Sequence, residues 1–411
     1  MKTPNLIAIS SATTLLAGLA GSAAAQSFTG LGAYPGSSLT LARGVSAGGA
    51  VVVGQASVSG SPLPWRWTQS TGMVGLGFNG YGFAVSDDGQ VIAGSEGFPG
   101  PEEAYRWTPG SGMQELGYLN AGNNSSSAWA ASADGSVIVG RSGVTSGPAQ
   151  FEAFRWTQGG GMQGLGFLSG HTSSWAQGVS TDGTVVVGRS VTWPGGGVLP
   201  TQAFRWTPSG GMTGLGFLPG HNGSVAIGVS ADGSTVVGGS FIMGAIGGKP
   251  FRWTQVGGME ELGMLPGYTS CDALSVSGDG SIVVGSCVFG TSEAFLWTPA
   301  GGMRPLLSVL VNDYGLNLTG WQLGSAFAIS ADGRAIVGSG TYLGGAQVYL
   351  AVLSGPCYPD CNESGNLTLA DFGCFQGKYV LNDPYADCNA SGTLTVADFG
   401  CFQTKFVAGC P

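Results

Sequence analysis

The residues best suited to chemistry stand near the C-terminal end, where oxygen-bearing side chains recur at fixed intervals. Asp360, Asn362, Ser364, Asn366, Thr368 and Asp371 occupy positions 1, 3, 5, 7, 9 and 12 of one segment. The same spacing returns 27 residues later as Asp387, Asn389, Ser391, Thr393, Thr395 and Asp398, and Gly365 and Gly392 hold position 6. Calcium is a hard cation that takes about six to eight oxygens, and a loop with oxygens at these positions and a glycine at the sharp turn supplies them. Asn366 and Thr393 would contribute backbone carbonyls, and Thr368 and Thr395 would act through water. Two loops predict two ions. Only positions 1 and 12 are carboxylates, so weaker binding is expected than in more acidic loops. A pair of Asx turns without metal is the alternative reading.

Each loop runs into the pattern A-D-F-G-C-F-Q-x-K-[YF]-V, with Phe372, Phe375 and Tyr379, then Phe399, Phe402 and Phe406, at helical spacing. The expected unit is a loop plus one exiting helix, made twice, with the two aromatic faces packed together. Six cysteines lie in this tail, Cys357, Cys361, Cys374, Cys388, Cys401 and Cys410. In an exported chain they read as disulfides, and the duplication favours one bridge inside each repeat with Cys357 joined to Cys410. Crossed pairing between the repeats stays open.

The arrangement resembles the type I dockerin modules, in a cysteine-containing form. That resemblance implies a cohesin-like protein or surface scaffold as partner, reached through a calcium-dependent fold. Serine at position 5 and threonine at position 9 depart from the more acidic pattern of many dockerins.

Ahead of the tail, one pattern fills the chain from Gly30 to Leu353 at spacings of 40 to 53 residues. Its first half reads A-x-x-V-S-x-D-G-x-x-V-V-G, as in Ala176 to Gly188, Ala226 to Gly238 and Ala273 to Gly285. Its second half reads A-F-R-W-T-x-x-G-G-M-x-x-L-G-x-L, as in Ala153 to Leu168 and Ala203 to Leu218. Apolar or alternating runs split by Asp-Gly or Gly-Gly are hairpins, because those residues accept positive φ. One repeat is therefore four strands, the spacing of a propeller blade.

Seven turn starts, at Gly49, Gly89, Gly135, Gly183, Gly233, Gly280 and Gly333, predict seven blades. The last copy has only three strands, and the segment from Phe28 to Gly36 matches the fourth strand at Met212 to Gly220. An N-terminal strand closing the last blade would hide two sheet edges. The fold class expected is an all-β seven-bladed β-propeller with a small α-helical, EF-hand-like calcium module after it. The repeats resemble the HAF family of extracellular repeats, which implies an extracellular location and no known chemistry.

Composition agrees with short strands and tight turns, since glycine numbers 77 of 411 residues and charged residues make up only 9%. Met1-Lys2, an apolar run and Ala23-Ala24-Ala25 read as a signal peptide over 1–25, with an uncleaved membrane anchor as the alternative. Later stretches are too short in apolar residues to span a bilayer, so the mature chain is expected to be secreted, extracellular or surface-attached. The formal charge of −9, without a basic stripe, argues against nucleic acid. The expected domains are 1–25, a repeat domain over 26–355 and the calcium module over 356–411.

Chemistry within the repeats is harder to find. Repeated Arg and Asp are expected to build the blades, and His171 and His221 are copied loop residues. Cys271 and Cys287 flank Asp279 symmetrically and are expected to form a cross-strand disulfide. Trp129 and Trp175, at loop ends, are candidates for stacking on a glycan. Lacking an asymmetric catalytic set, the sequence predicts a binding or structural protein rather than an enzyme. The alternative is a dockerin-borne carbohydrate-active enzyme or glycan-binding propeller, for which Glu102, Glu103, Glu152, Glu260, Glu261 and Glu293 could supply paired carboxylates. Peptide mapping under non-reducing conditions is expected to recover Cys361 with Cys374 and Cys388 with Cys401. A peptide joining Cys361 to Cys401 would establish the crossed pairing instead.

Overall fold

The structure is a computed structural model that describes residues 26–120, 122, 124–144, 151–192, 201–353, 369–381, 386 and 394–408. It divides into two compact units, one comprising Gln26–Leu353 and the other containing the C-terminal tail. The first is all-β apart from short helical pieces, and its strands fall into seven groups of four, over 37–75, 80–115, 126–164, 173–216, 223–261, 270–305 and 321–352 with 27–32. Groups four and five are linked into one eight-stranded sheet by a single parallel pair, Thr201 with Gly223.

The seventh group is completed from the other end of the chain, as the sequence indicates. Ser27–Gly32 pairs antiparallel with Gly345–Val352, and Phe28 stacks on Tyr349 with ring centroids 5.4 Å apart. Both strands thereby lose an open edge.

Every group repeats one local device. The glycine of V-V-G on the second strand faces the alanine of the first strand (Gly82 in the second group), and a Cβ there would lie 1.9 to 2.0 Å from a first-strand carbonyl oxygen (for Gly188, that of Trp175). Only glycine permits this approach. On the third strand an aromatic ring lies in register with the same glycine, as Phe204 does with Gly188, and all seven such rings are fully buried. The first strand then skips one residue in the pairing: Ala176 faces Gly188, Gly178 faces Val187, and Gln177 is bulged out.

The core lies between the groups. Leu165 and Leu168 of group three pack with Ala176, Val186 and Phe204 of group four, and equivalent clusters recur at each junction. The last junction closes the circle, with Val337, Val348 and Leu350 against Ala42, Val52 and Trp67. The short helix Leu306–Asn312 adds Leu306, Val309 and Leu310 to the junction of groups six and seven.

The hairpins between first and second strands also explain the S-x-D-G motif. Ser180 donates to Asp182 at 2.6 Å and accepts the Val185 N–H at 2.9 Å, while Asp182 accepts the Thr184 N–H at 2.9 Å. Gly183, at φ 70°, closes the turn. The residue after each serine links neighbouring turns: N–H groups of Ala47, Asp87, Ala133, Thr181, Ala231 and Gly278 each donate to the next group's carbonyl at 2.8 to 3.2 Å. Between groups seven and one a side chain closes the circuit, with the Gly48 N–H on the Asp332 carboxylate at 3.0 Å.

Cys271 and Cys287 are directly paired in register and disulfide-bonded, with Cα atoms 4.0 Å apart, as expected. In the C-terminal unit, helices Leu369–Val380 and Val396–Ala408 meet through Phe375 and Phe402, both fully buried and stacked at 4.1 Å. Among the described residues no helix is long and apolar enough to cross a membrane.

Gly188→Ala is expected to cost about 3 kcal/mol or more, because a carbonyl of the paired strand would have to move. Gly159→Ala, whose Cβ would meet nothing within 4 Å, is the matched control and should leave the melting temperature within a degree or two.

Candidate functional site

The seven bulged residues are Arg43, Phe83, Trp129, Gln177, Ile227, Leu274 and Phe327. All seven line one central cavity of about 500 Å³, bounded by the first strands of all groups. The bulge is what aims them there, because the skipped residue leaves the pleat and its side chain is freed from the sheet faces. The next residue is small in every copy, since neighbouring first strands run close: a Cβ on Gly178 would lie 2.8 Å from the Ile227 carbonyl oxygen.

This position carries a cation, an amide, three aromatics and two aliphatics, whereas the surrounding motif is nearly invariant among the copies. The Arg43 guanidinium lies over the Phe327 ring, 4.9 Å from its centroid, and its Nε is buried without a hydrogen-bond partner. Burial pulls that guanidinium below its usual pKa. The Gln177 Oε1 is likewise buried and without a partner. Asp87 also borders the cavity; burial first, then Asp332 and Asp88, raise its carboxyl above the usual range.

Trp129 and Trp175 do not stand at matching loop ends. Both lie on first strands, at different positions: Trp129 is bulged toward the cavity, while Trp175 precedes Ala176 and is buried beneath Arg189. His171 and His221 are turn residues in matching places, each N–H donating to Leu168 or Leu218. Two of the repeated arginines tie neighbouring groups together, with Arg155 Nε on Gly183 O at 2.9 Å and Arg205 Nε on Gly233 O at 3.1 Å, while Arg252 bonds Thr235 of its own group at 3.2 Å.

Of the glutamates singled out in the sequence, none borders the cavity. Glu152 accepts the Gly166 N–H at 2.8 Å, and Glu261 pairs with Lys249 at 2.8 Å. Glu103 does join a cluster, with Glu96 and Glu115, whose oxygens approach within 4.8 Å. Its own oxygens are held by the Gly117 N–H at 3.0 Å and the Tyr118 hydroxyl at 2.7 Å. Burial, then Glu115 and Glu103, raise the Glu96 carboxyl.

In the C-terminal unit Asp371 and Asp398, the last position of each loop, are fully buried at the starts of the two helices. The Thr395 N–H donates to Asp398 Oδ2 at 2.7 Å, a helix-capping contact. Cys374 and Cys401 are each engaged in a disulfide, not with one another. Asp360, Asn362, Ser364, Asn366, Thr368, Asp387, Asn389, Ser391 and Thr393 lie outside the described residues, as do Cys357, Cys361, Cys388, Cys410 and the segment 1–25.

No protein-family model matches the sequence, and no curated protein matches it. Solved structures do. An oligogalacturonate lyase from Vibrio parahaemolyticus is 12% identical with a TM-score of 0.54, over 80% of this chain and 97% of its own. A puromycin hydrolase is 14% identical at TM-score 0.50, over 79% of this chain, which spans only 56% of that enzyme. The β-propeller domain of the Trilobed protease from Pyrococcus furiosus is 10% identical at TM-score 0.49, over 77% and 94%. The fold is thus mostly β and similar to β-propeller proteins. These likenesses correct the non-enzymatic expectation: the architecture is shared with enzymes, so the absence of a familiar catalytic set in the sequence is no ground for excluding catalysis.

Hydrogen bonds from Ser180, then from the Thr184 N–H, hold the Asp182 carboxyl below its usual range. A depressed carboxyl stabilises the folded state above its unfolded pKa, near 4, and loses that contribution as pH falls through the folded value. Asp182→Asn should therefore melt below the parent at pH 7, and the gap should close as the pH drops under about 4.

Proposed function

We propose that this chain is an exported binding protein: a seven-bladed β-propeller that presents a ligand site in its central channel, joined to a dockerin-like module that attaches it to a cohesin-like protein or surface scaffold. The observation that carries the reading is the repeat itself. Nearly every repeated position in a copy is spent on turn or core, while the bulged position that lines the channel differs in chemistry around the ring. A scaffold that fixes its frame and varies its inward residues is built to recognise something asymmetric.

The attachment half rests on the resemblance of the tail, and the described part of that unit is compatible with it. Asp371 and Asp398 are buried carboxylates at helix starts, where position 12 of a calcium loop must stand, and the stacked Phe375 and Phe402 give the two helices a shared core. The donor set over 360–371 and 387–398 is entirely oxygen, which suits calcium and not a thiolate-seeking metal. Two ions would be held, and each would fix the geometry of the helix that follows its loop. The leader over 1–25 and the disulfides fit an exported chain.

Calorimetry of the full chain is expected to register two calcium ions, and Asp371→Asn with Asp398→Asn to abolish both. Capture on an immobilised cohesin panel should require calcium and reverse with chelator. Capture that persists in chelator, or an absence of calcium heat, would refute the attachment half.

A further inference from the structure

We propose that the central channel binds a small ligand carrying a carboxylate on a ring with an apolar face, with Arg43 receiving the carboxylate and the neighbouring aromatic residues receiving the ring. The inference rests on the binding-protein reading and gives the ligand its chemistry. A cavity of about 500 Å³ falls within the range of small-molecule sites.

Charge selects the ligand's polar end. Arg43 brings the cationic side chain to the lining, and it forms no ion pair: among the described residues the ion pairs are Lys249 with Glu261 and Arg304 with Asp313. A half-buried guanidinium whose Nε is buried without a partner is an incomplete site, since its planar fork is matched to a carboxylate. One cation, set against the single Asp87 carboxyl and with no lysine or second arginine on the lining, suits a singly charged acid better than a phosphate.

The order around the ring selects the rest. Phe327 precedes Arg43 by one group, and Phe83 and Trp129 follow it in the next two, so flat faces flank the cation. Ile227 and Leu274 fill the fifth and sixth groups, and Gln177 in the fourth offers an unsatisfied carbonyl oxygen to a hydroxyl or N–H of the ligand. Aromatic faces receive either an aromatic ring or the C–H face of a sugar. Two sources therefore share the chemistry, an aromatic acid and a sugar acid.

Titration calorimetry on the full chain with indole-3-acetate and with glucuronate separates them, with indole-3-acetamide and glucose as neutral counterparts. At least one acid is expected to bind about tenfold or more tightly than its neutral counterpart. Arg43→Met, which keeps the stem over Phe327 but removes the charge, should remove that preference, and Arg43→Lys should retain part of it. Thermal melting of both variants close to the parent shows that the ring is intact. Heat from the indole acid alone assigns the aromatic source, and heat from glucuronate alone assigns the sugar source. Failure of both acids to bind, or binding indifferent to Arg43→Met, overturns the proposal. Calcium-dependent capture in the same preparation reports the attachment reading separately, so the two can fail independently.

Discussion

The close approach of a first-strand carbonyl to the glycine of the second strand is the constraint from which the rest of the ring follows. At Gly188 the space a Cβ would fill is taken by the Trp175 carbonyl oxygen, and the same holds for Gly54, Gly94, Gly140, Gly238, Gly285 and Gly338. Bringing the backbones so near lets an aromatic ring from the third strand lie over the glycine, and the strand responds by skipping a residue in its pairing. The skipped residue has nowhere to go but inward. A requirement of backbone packing thus manufactures seven positions free to carry chemistry.

Around that device the ring is held in two ways. Apolar clusters at each junction supply the bulk of the stabilisation, because burial of Val, Leu, Phe and Trp between sheets removes large apolar areas from water. The circuit of backbone bonds between successive hairpin turns adds direction, fixing how each first strand sits beside the next. The junction of groups seven and one is the exception: there the direction reverses, and the Gly48 N–H of group one donates to the Asp332 carboxylate of group seven. Asp87 is coupled to the same Asp332: burial first, then the charges of Asp332 and Asp88, raise its carboxyl.

A frame of this kind separates stability from recognition. The serine, aspartate and glycine of each turn, the paired glycine and its ring are consumed by structure, so substitutions there should act on folding. The bulged residues carry little of that burden, and their variety gives a channel with a cation and aromatic rings on one side and aliphatic groups on the other. Likeness to a lyase and to hydrolases of very low identity extends to the frame and stops there.

The sequence by itself determined what is local or periodic. Hairpins at Asp-Gly, the four-strand repeat, the N-terminal strand that completes the last group and the Cys271–Cys287 bridge were all legible, because turn chemistry and alternation act over a few residues. Only the tertiary structure decided which residues look into the channel: Arg43, Gln177 and Phe327 are far apart in the chain, and a skipped pairing, invisible in composition, turns them to one centre. A trace of it lay in the repeats, where the residue after the alanine is the one that changes chemical type from copy to copy. Misreading Trp129 and Trp175 as equivalent has the same cause, since a shift of two positions in the strand separates a channel residue from a buried one. Long-range closure alone gives those positions a common neighbour, because it is the ring and not the strand that creates the space they share.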